Sequence, residues 1–382
     1  MKNYRTIIAL LLTALCLTYI CMPFCALAKD SIDNYDELIK EYDLSSFELI
    51  GEESNEFLSN IGISDFDYES ISDISFTTVT KHIVNVILQR IDGPIKSGII
   101  LIGLIIISSF YCIVSKNLSN SNDSDIFAIA VNMIIAIYIV DKIMPCITLC
   151  SSTIKLCSDF TYAFFPVFCI IVATSGGTVT SFSVNTMLLA LSQFLGAVSN
   201  FVFLPTTSCF MSLGLCSSIN KELNLSALVN TIKSVITKSI SIISAVFVSI
   251  LSMKTAVSSK ADVLGLRSVR FAINSVVPII GGTISEGLLS IQSYSSLIKT
   301  SVGIVGIIAV FSVFLPALVD VTIWRFVLTV TRVCSLLFSH DSCADMIEVF
   351  RDVLLIINVI MILVMVTTII SIGILIAAKT GN

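Results

Sequence analysis

Residues 95–114 read IKSGIILIGLIIISSFYCIV, an apolar run in which Lys96 is the one charged residue. An α-helix rises about 1.5 Å per residue, so a run of this length crosses the roughly 30 Å hydrocarbon core of a bilayer. The polar stretch KNLSNSNDSD follows at residues 116–125 and ends the run. The stretch therefore predicts a transmembrane helix followed by a polar loop.

The composition of the whole chain agrees with this run. Of its 382 residues, 55% are hydrophobic and 13% are charged, and the mean hydropathy is +0.97. Soluble domains carry about 25% charged residues, so a soluble globular protein is excluded. Only helices and closed barrels satisfy the backbone in lipid, and apolar runs of this length favour helices. The sequence predicts an all-α polytopic membrane protein.

Further apolar runs follow the first one, and several end at proline, at glycine or in polar sequence. We expect about six to eight transmembrane or re-entrant helices within residues 95–382. The other runs are Ile126–Leu149, Phe160–Ser175, Val184–Leu204, Thr206–Ile219, Val235–Met253, Ser301–Ile323 and Val353–Ala377.

Residues 1–28 have the features of a cleavable export signal. Lys2 and Arg5 form a basic start, an apolar run follows, and Ala26-Leu27-Ala28 offers a cleavage site. An uncleaved signal anchor is the alternative. In either case the next segment begins on the far side of the cytoplasmic membrane.

Residues 29–75 are predicted to be a short acidic extracytoplasmic segment, with 14 Asp or Glu residues against Lys29 and Lys40. This density of like charge suits either a solvated extension or a segment that docks on a partner. In residues 76–94, apolar residues such as Val79 and Ile83 recur at helical spacing. This pattern predicts an amphipathic helix that lies in the membrane interface.

The loop at residues 254–270 carries four cationic residues and one carboxylate. If the acidic segment is outside, six full crossings place this loop outside too, whereas the positive-inside rule favours the cytoplasm. We therefore expect one of the six runs to be re-entrant, with Thr206–Ile219 and Phe160–Ser175 as the candidates. Translocation of the basic loop is the alternative.

Two apolar segments in different halves of the chain are interrupted by proline and glycine. Non-helical backbone at membrane depth needs protein or a water-filled cavity around it, and paired broken helices are typical of midplane sites in transporters. The pattern predicts pore-lining or re-entrant segments, and an interfacial loop with a solvated glutamate is the alternative for the second segment. The residues are Pro166, Gly176 and Gly177 in the first segment and Pro278, Gly281, Gly282 and Glu286 in the second.

Asp320, Trp324 and Arg325 lie at the end of the apolar run Ser301–Ile323. Tryptophan and a snorkelling arginine are enriched at membrane surfaces. We therefore predict that these three residues are membrane anchors. A functional carboxylate is the alternative for Asp320.

The sequence offers no pattern of a catalytic or metal site. It has 12 Cys but no CxxC spacing and has two His, and it lacks the GxxxxGK[ST], HExxH, GxSxG and GxGxxG patterns. We expect no catalytic residue, no metal and no cofactor. Most cysteines are predicted to be small buried hydrophobes, and a disulfide between Cys334 and Cys343 is an alternative for that pair.

The sequence FFPVFCIIVATSGGTVTS, which begins at Phe164, and the segment 258–309 resemble the stage III sporulation protein AE family of endospore-forming bacteria. The second segment contains a V-P-x-x-G break followed by a serine, a lysine and two glycines, here Ser296, Lys299, Gly303 and Gly306. The resemblance extends over roughly residues 74–378. Residues 29–73 match nothing.

The resemblance implies a multi-pass protein of the mother-cell membrane around the forespore. It implies membership of an assembly that is similar to a secretion machine and that has a separate ATPase subunit. That assembly meets stage II sporulation protein Q across the intermembrane space and sustains forespore development. The family supplies no catalytic residue to carry over.

The resulting hypothesis is a non-enzymatic membrane subunit of a transenvelope channel whose broken segments line or gate a passage. Its expected partners are membrane lipids, other stage III sporulation proteins with their ATPase and, indirectly, stage II sporulation protein Q, but no nucleic acid. The alternative is a stand-alone ion-coupled transporter or a lipid-handling membrane protein. Gradient-driven movement of a solute by the purified protein in liposomes would distinguish the two.

Overall fold

The computed structural model describes residue 42, residues 44–60, 76–118 and 121–175, most of 187–219, most of 231–250 with residue 253, and residues 281–338 and 341–377. Every regular element in these ranges is helical. They include a 3-10 helix Ser45–Ile50, a π-helical turn Ser199–Phe203, a helical stretch at residues 231–243, and the α-helices α1 Glu52–Asn60, α2 Phe76–Leu118, α3 Ser121–Thr174, α4 Leu204–Ile219, α5 Gly281–Leu337 and α6 Asp341–Ala377. The predicted signal peptide and the basic loop 254–270 lie outside the described residues.

Four of these helices are much longer than a bilayer requires. Helices α2, α3, α5 and α6 contain 43, 54, 57 and 37 residues, whereas about 20 residues cross a membrane. The all-α membrane architecture is confirmed, and the count of six to eight spans stays a prediction because the described residues account for four. The four apolar stretches are Val79–Tyr111, Ile129–Thr174, Ser295–Leu337 and Asp341–Ala377.

The predicted division of residues 126–175 into two spans is wrong. The runs Ile126–Leu149 and Phe160–Ser175 belong almost entirely to one continuous helix, α3, with Pro145 and Pro166 inside it. Each proline removes one helical hydrogen bond, a loss that neighbouring helices can compensate in a membrane protein. Proline alone therefore did not mark a boundary here.

Helices α2 and α5 also extend beyond the predicted boundaries of their apolar runs. Residues 76–94 run without a break into the predicted span 95–114 as helix α2, and the run Ser301–Ile323 forms the middle of α5. Asp141 and Lys142, which interrupt the predicted run Ile126–Leu149, lie within α3. Their side chains form an exposed ion pair with a distance of 2.9 Å between Nζ and Oδ2.

Helix α4 covers the predicted run Thr206–Ile219. It contains 16 residues, fewer than the roughly 20 that a full crossing requires, and it follows the π-helical turn. The re-entrant role of this run stays a prediction.

Helices α2 and α5 are parallel. The side chain of Arg90 contacts Asp320, and seven to eight residues further along both helices Gly98 adjoins Val327. Residue numbers therefore rise in the same direction in both helices. The two ends at which α2 and α5 begin lie on the same side of the molecule.

Helices α3 and α6 are antiparallel to α5. Gly303 faces Phe168 and Gly306 faces Phe164, so the numbers fall along α3 as they rise along α5. Helices α5 and α6 form a hairpin and are antiparallel over its whole length. Its contacts join Arg332 to Glu348, Thr322 to Asn358 and Gly303 to Ile376.

The apolar stretches of α2 and α5 are displaced along their common axis. Because Gly98 lies beside Val327, residues 98–114 of α2 begin near the point where the run Ser301–Ile323 has ended. In the most apolar 18-residue part of α5 and of α6, 67% and 61% of the residues are buried, against 39% in the corresponding parts of α2 and α3. The hairpin α5–α6 is therefore interior, and α2 and α3 present more apolar surface outward, as a lipid-facing layer does.

The described part of the acidic segment packs on the helices. Phe47, Ile50, Phe57 and Leu58 are buried, whereas the carboxylates of this stretch that the structure describes, such as Glu48, are exposed. For residues 44–60 the solvated extension is thus wrong. Hydrophobic burial on one side and solvated charge on the other side satisfy both residue types at once.

Candidate functional site

Gly303 and Gly306, in the segment 296–306, mark a close approach between α3 and α5. A methyl group on Gly303 would lie 2.9 Å from Phe168 Cζ and 2.6 Å from Ile376 Cδ1, and a methyl group on Gly306 would lie 2.8 Å from Phe164 Cζ. These distances are shorter than van der Waals contact between carbon atoms. Glycine lets the two helices approach at these positions, as small residues do in membrane helix pairs.

Gly303 and Gly306 pack against a stack of phenylalanines on α3. The ring centroids of Phe160 and Phe164 are 5.1 Å apart and those of Phe164 and Phe168 are 5.0 Å apart. Residues four positions apart lie on one helix face, which explains the stack. Phe47 of the 3-10 helix adds edge-on contacts at 5.5 Å from Phe160 and 5.3 Å from Phe164.

The acidic segment is held by two further contacts. The rings of Phe57 in α1 and His82 in α2 are 4.4 Å apart, and the hydroxyls of Tyr42 and Thr174 are 3.1 Å apart. Together with Phe47, these contacts tie residues 42–60 to both α2 and α3. The segment therefore belongs to the same packed unit as the glycine–phenylalanine contact.

An ion pair joins α2 to α5 near the end of the apolar run of α5. Arg90 Nη1 donates a hydrogen bond of 2.9 Å to Asp320 Oδ2, and the two side chains are 25% and 19% exposed. Asp320 was predicted as a membrane anchor, and the structure gives it a partner that the sequence did not indicate. Arg90 lies on a polar face of the predicted amphipathic helix. That position was the one feature of the sequence that could have indicated a contact with a carboxylate.

Six charged residues form what we call the α5–α6 charge cluster: Lys233, Arg325, Arg332, Glu348, Arg351 and Asp352. Glu348 accepts hydrogen bonds of 2.7 Å from Arg332 and 2.9 Å from Arg351. Lys233, in the helical stretch 231–243, forms an ion pair with Asp352. Arg325 lies within electrostatic range of Arg351 and Asp352.

The predicted anchor Trp324 faces protein. Its side chain is 7% exposed and belongs to the hydrophobic core, whereas a ring in an aromatic belt faces outward at the headgroups. Arg325, the third predicted anchor, is partly buried and belongs to the charge cluster. The structure therefore places Trp324 in the core and Arg325 in the charge cluster, although the sequence predicted that both are membrane anchors.

The described parts of the predicted broken segments are helical. Helix α3 ends at Thr174, two residues before the first glycine pair, and α5 begins at Gly281. Because α3 and α5 are antiparallel, these two helix ends lie at the same end of the molecule. Pro166 is an exposed residue inside α3, Gly282 and Glu286 belong to the first turns of α5, and Gly176, Gly177 and Pro278 lie outside the described residues.

The cysteines are thiols wherever the structure describes them. Cys334 and Cys343 are both free, so the disulfide considered for this pair is not formed. Most of the described cysteines, among them Cys146, Cys150 and Cys157, are buried in the core. Among the described residues no group of His, Cys, Asp or Glu is arranged to hold a metal ion.

Comparison with known proteins gives one family and one curated relative. The sequence model of the family "Stage III sporulation protein AE" matches residues 65–379. The relative "Stage III sporulation protein AE" of Bacillus subtilis (strain 168) is 22% identical over 211 residues, which cover 54% of this chain and 53% of the relative. The alignment thus spans about half the length of the curated relative. No solved structure matches the chain.

Proposed function

This chain belongs to the stage III sporulation protein AE family, and from that premise we propose that it is a non-enzymatic membrane subunit of a channel complex between mother cell and forespore. The single observation that carries the proposal is the family match over residues 65–379, which includes all four long apolar helices. In this role the chain supports forespore development. Its place is the mother-cell membrane around the forespore.

The packing supports a role as a scaffold for other subunits. The interior of the described bundle is filled by large side chains with almost no exposure, among them Phe164, Phe168, Phe314 and Phe350. A passage through the middle of one such bundle would have to displace these rings. We therefore propose that any passage lies between this chain and its neighbours, or between copies of it.

The end of the molecule where α3 finishes and α5 begins is the proposed gating region. The glycine pair Gly281-Gly282 starts α5, and the pair Gly176-Gly177 follows α3 closely in sequence. Glycine lowers the cost of bending the backbone at a helix end. A hinge at such a helix end supplies the bistable element that a gate needs.

The proposed partners follow from the family. They are membrane lipids, other stage III sporulation proteins that include a separate ATPase subunit and, indirectly, stage II sporulation protein Q. The ATPase supplies the energy, because the sequence of this chain contains no phosphate-binding loop.

The test uses a sporulating host that lacks its own copy of the gene. The tagged chain is expressed, cross-linked at the engulfment stage and purified, and co-purified proteins are identified by mass spectrometry. We expect other stage III sporulation proteins, including the ATPase, in a sample from sporulating cells and not in one from vegetative cells. Recovery of the chain without any of them, although it restores spore formation, would falsify the channel-subunit proposal.

The gating region is tested separately with Gly281→Leu, Gly282→Leu and Glu286→Ala in the same host. We expect the two leucine variants to lower spore yield at unchanged protein level. The control is Gly373→Ala, because a methyl group on Gly373 in α6 meets no atom within 4 Å. Normal sporulation of all three variants removes the gating role. Solute movement driven by the purified chain alone in liposomes would favour a stand-alone transporter instead.

A further inference from the structure

The α5–α6 charge cluster contains more cations than anions. Glu348 and Asp352 are its two carboxylates, and its four cationic side chains include three arginines. Each carboxylate already accepts from at least one cationic partner. The excess positive charge therefore suits a negatively charged ligand, and it repels a cationic one.

Two arginines of the cluster have unused donors. The Nε atoms of Arg325 and Arg332 are buried, and within the described part of the chain they donate to no acceptor. Buried polar groups in native proteins nearly always have a partner, so each such group requires an explanation. A guanidinium group donates in a planar fork that matches the oxygens of a phosphate group.

An apolar stripe lies directly beside these arginines on α5. Phe326 is 61% exposed and Leu337 is 76% exposed, and Val330 and Val333 between them are also exposed. The spacing of these four residues places them on one helix face, one position further along the helix than Arg325 and Arg332. A ligand with a charged head and an apolar part would contact the arginines and the beginning of the stripe, at Phe326, at once.

The level of the cluster along the bundle matches a membrane surface. Arg325 follows the apolar run that ends at Ile323, and Asp352 precedes the apolar run that begins at Val353. These two runs pair along the antiparallel hairpin, so the cluster lies at one end of both. Lipid phosphates lie at such a boundary, and basic pockets between membrane helices bind anionic headgroups.

We propose that the α5–α6 charge cluster is a binding site for the phosphate group of an anionic phospholipid. Arg325 and Arg332 donate to the phosphate oxygens, Phe326 lies beside the headgroup, and the acyl chains extend from there toward the apolar run Ser301–Ile323. Such a lipid stabilises the end of the hairpin by neutralising the excess positive charge of the cluster. The site needs only a membrane around the protein and does not depend on the channel role.

The experiment measures lipid affinity by native mass spectrometry on the full-length protein in detergent. Phosphatidylglycerol and phosphatidylcholine are titrated in parallel. We expect phosphatidylglycerol to bind at least about fivefold more tightly, and Arg325→Gln and Arg332→Gln to lower its affinity by about fivefold each, since one cation near the membrane surface contributes about that factor. The control is Lys142→Gln, which removes an exposed lysine on α3 that is paired with Asp141 and should bind as the parent does.

Circular dichroism and the elution volume show whether each variant is folded. Arg325→Lys serves as a second variant because it keeps the charge, and it should retain more affinity than Arg325→Gln. Equal affinity for the two lipids overturns the proposal. Complete displacement of the lipid by millimolar inorganic phosphate also overturns it, because the cluster would then be a site for a soluble anion.

Discussion

Gly306 of α5 lies directly against Phe164 of α3, at a distance that leaves no room for a methyl group between the backbone and the ring. Phe164 is held in turn by Phe160 and Phe168 along the same helix face and by Phe47 from the acidic segment. The ring therefore has little freedom to move away. This contact joins the most specific part of the family resemblance to the core of the bundle.

Substitution of Gly306 by Ala should destabilise the protein. The new methyl group would lie 2.8 Å from Phe164 Cζ, and overpacking of this kind costs about 1–3 kcal/mol. The apparent Tm in detergent, followed by circular dichroism, should fall by several degrees. Gly373→Ala is the matched control, because the space around Gly373 is open, and it should unfold at or above the parent temperature. A Gly306→Ala protein as stable as this control would contradict the close contact.

Removal of one partner of the Arg90–Asp320 pair should loosen α2 from α5. Asp320→Asn leaves the partly buried guanidinium of Arg90 without its carboxylate, and loss of a hydrogen bond to a charged group costs about 1–3 kcal/mol. The exchange variant Arg90→Asp with Asp320→Arg should recover part of the loss in the same unfolding measurement. Asp141→Asn is the control, because the pair of Asp141 with Lys142 is exposed, and it should change little. If the exchange variant loses as much stability as Arg90→Asp alone and Asp320→Arg alone lose together, the two residues do not interact.

Phe47→Ala should release the acidic segment from the bundle. Phe47 is 5% exposed, and truncation of a buried phenylalanine costs about 3–5 kcal/mol. Because the acidic segment can detach while the helices stay folded, we expect little change in global unfolding. We expect faster cleavage at Glu48 and Glu56 by a glutamate-specific protease. Leu49→Ala, at a side chain that is 47% exposed, should be cleaved at the parent rate. Equal cleavage of both variants would argue against docking of residues 44–60.

The parallel arrangement of α2 and α5 makes a topological prediction. Epitope tags inserted after Leu118 and after Phe338 should be accessible from the same side of the membrane, because each follows the end of one of these two helices. A tag at the C-terminus should be accessible from the opposite side, because α6 runs antiparallel to α5. Protease protection in right-side-out and inverted vesicles gives the answer, and tags at 118 and 338 on opposite sides would disprove the parallel arrangement.

The sequence predicted the helical membrane architecture but not the helix boundaries. Pro166 and the pair Asp141-Lys142 look like interruptions when read along the chain, yet α3 passes through both. A proline removes one backbone hydrogen bond and can bend a helix without ending it, and the sequence does not state which outcome applies. The same limitation applied to Trp324, because an aromatic residue at the end of an apolar run is compatible with a lipid-facing belt and with a protein core.

The candidate site was visible in the sequence only in part. Gly303 and Gly306 were recognised as part of a family-like run, but their use as contact points depends on the rings of Phe164 and Phe168. The charge cluster had a weaker signal, namely the group of charged residues between Trp324 and Asp352 that separates two apolar runs. Its excess positive charge becomes evident only when the hairpin brings Arg332 and Arg351 to the same carboxylate.

The amino-acid sequence by itself determined that this protein lies in a membrane and is helical, because hydropathy and the length of an apolar run are sums over neighbouring residues. The tertiary structure alone decided which helices run parallel, which apolar faces are interior and which charges meet. Arg90 and Asp320 are 230 residues apart in the chain, and no local pattern connects them. Their contact arises because two apolar helices pack at one register, and that register is a property of the whole bundle.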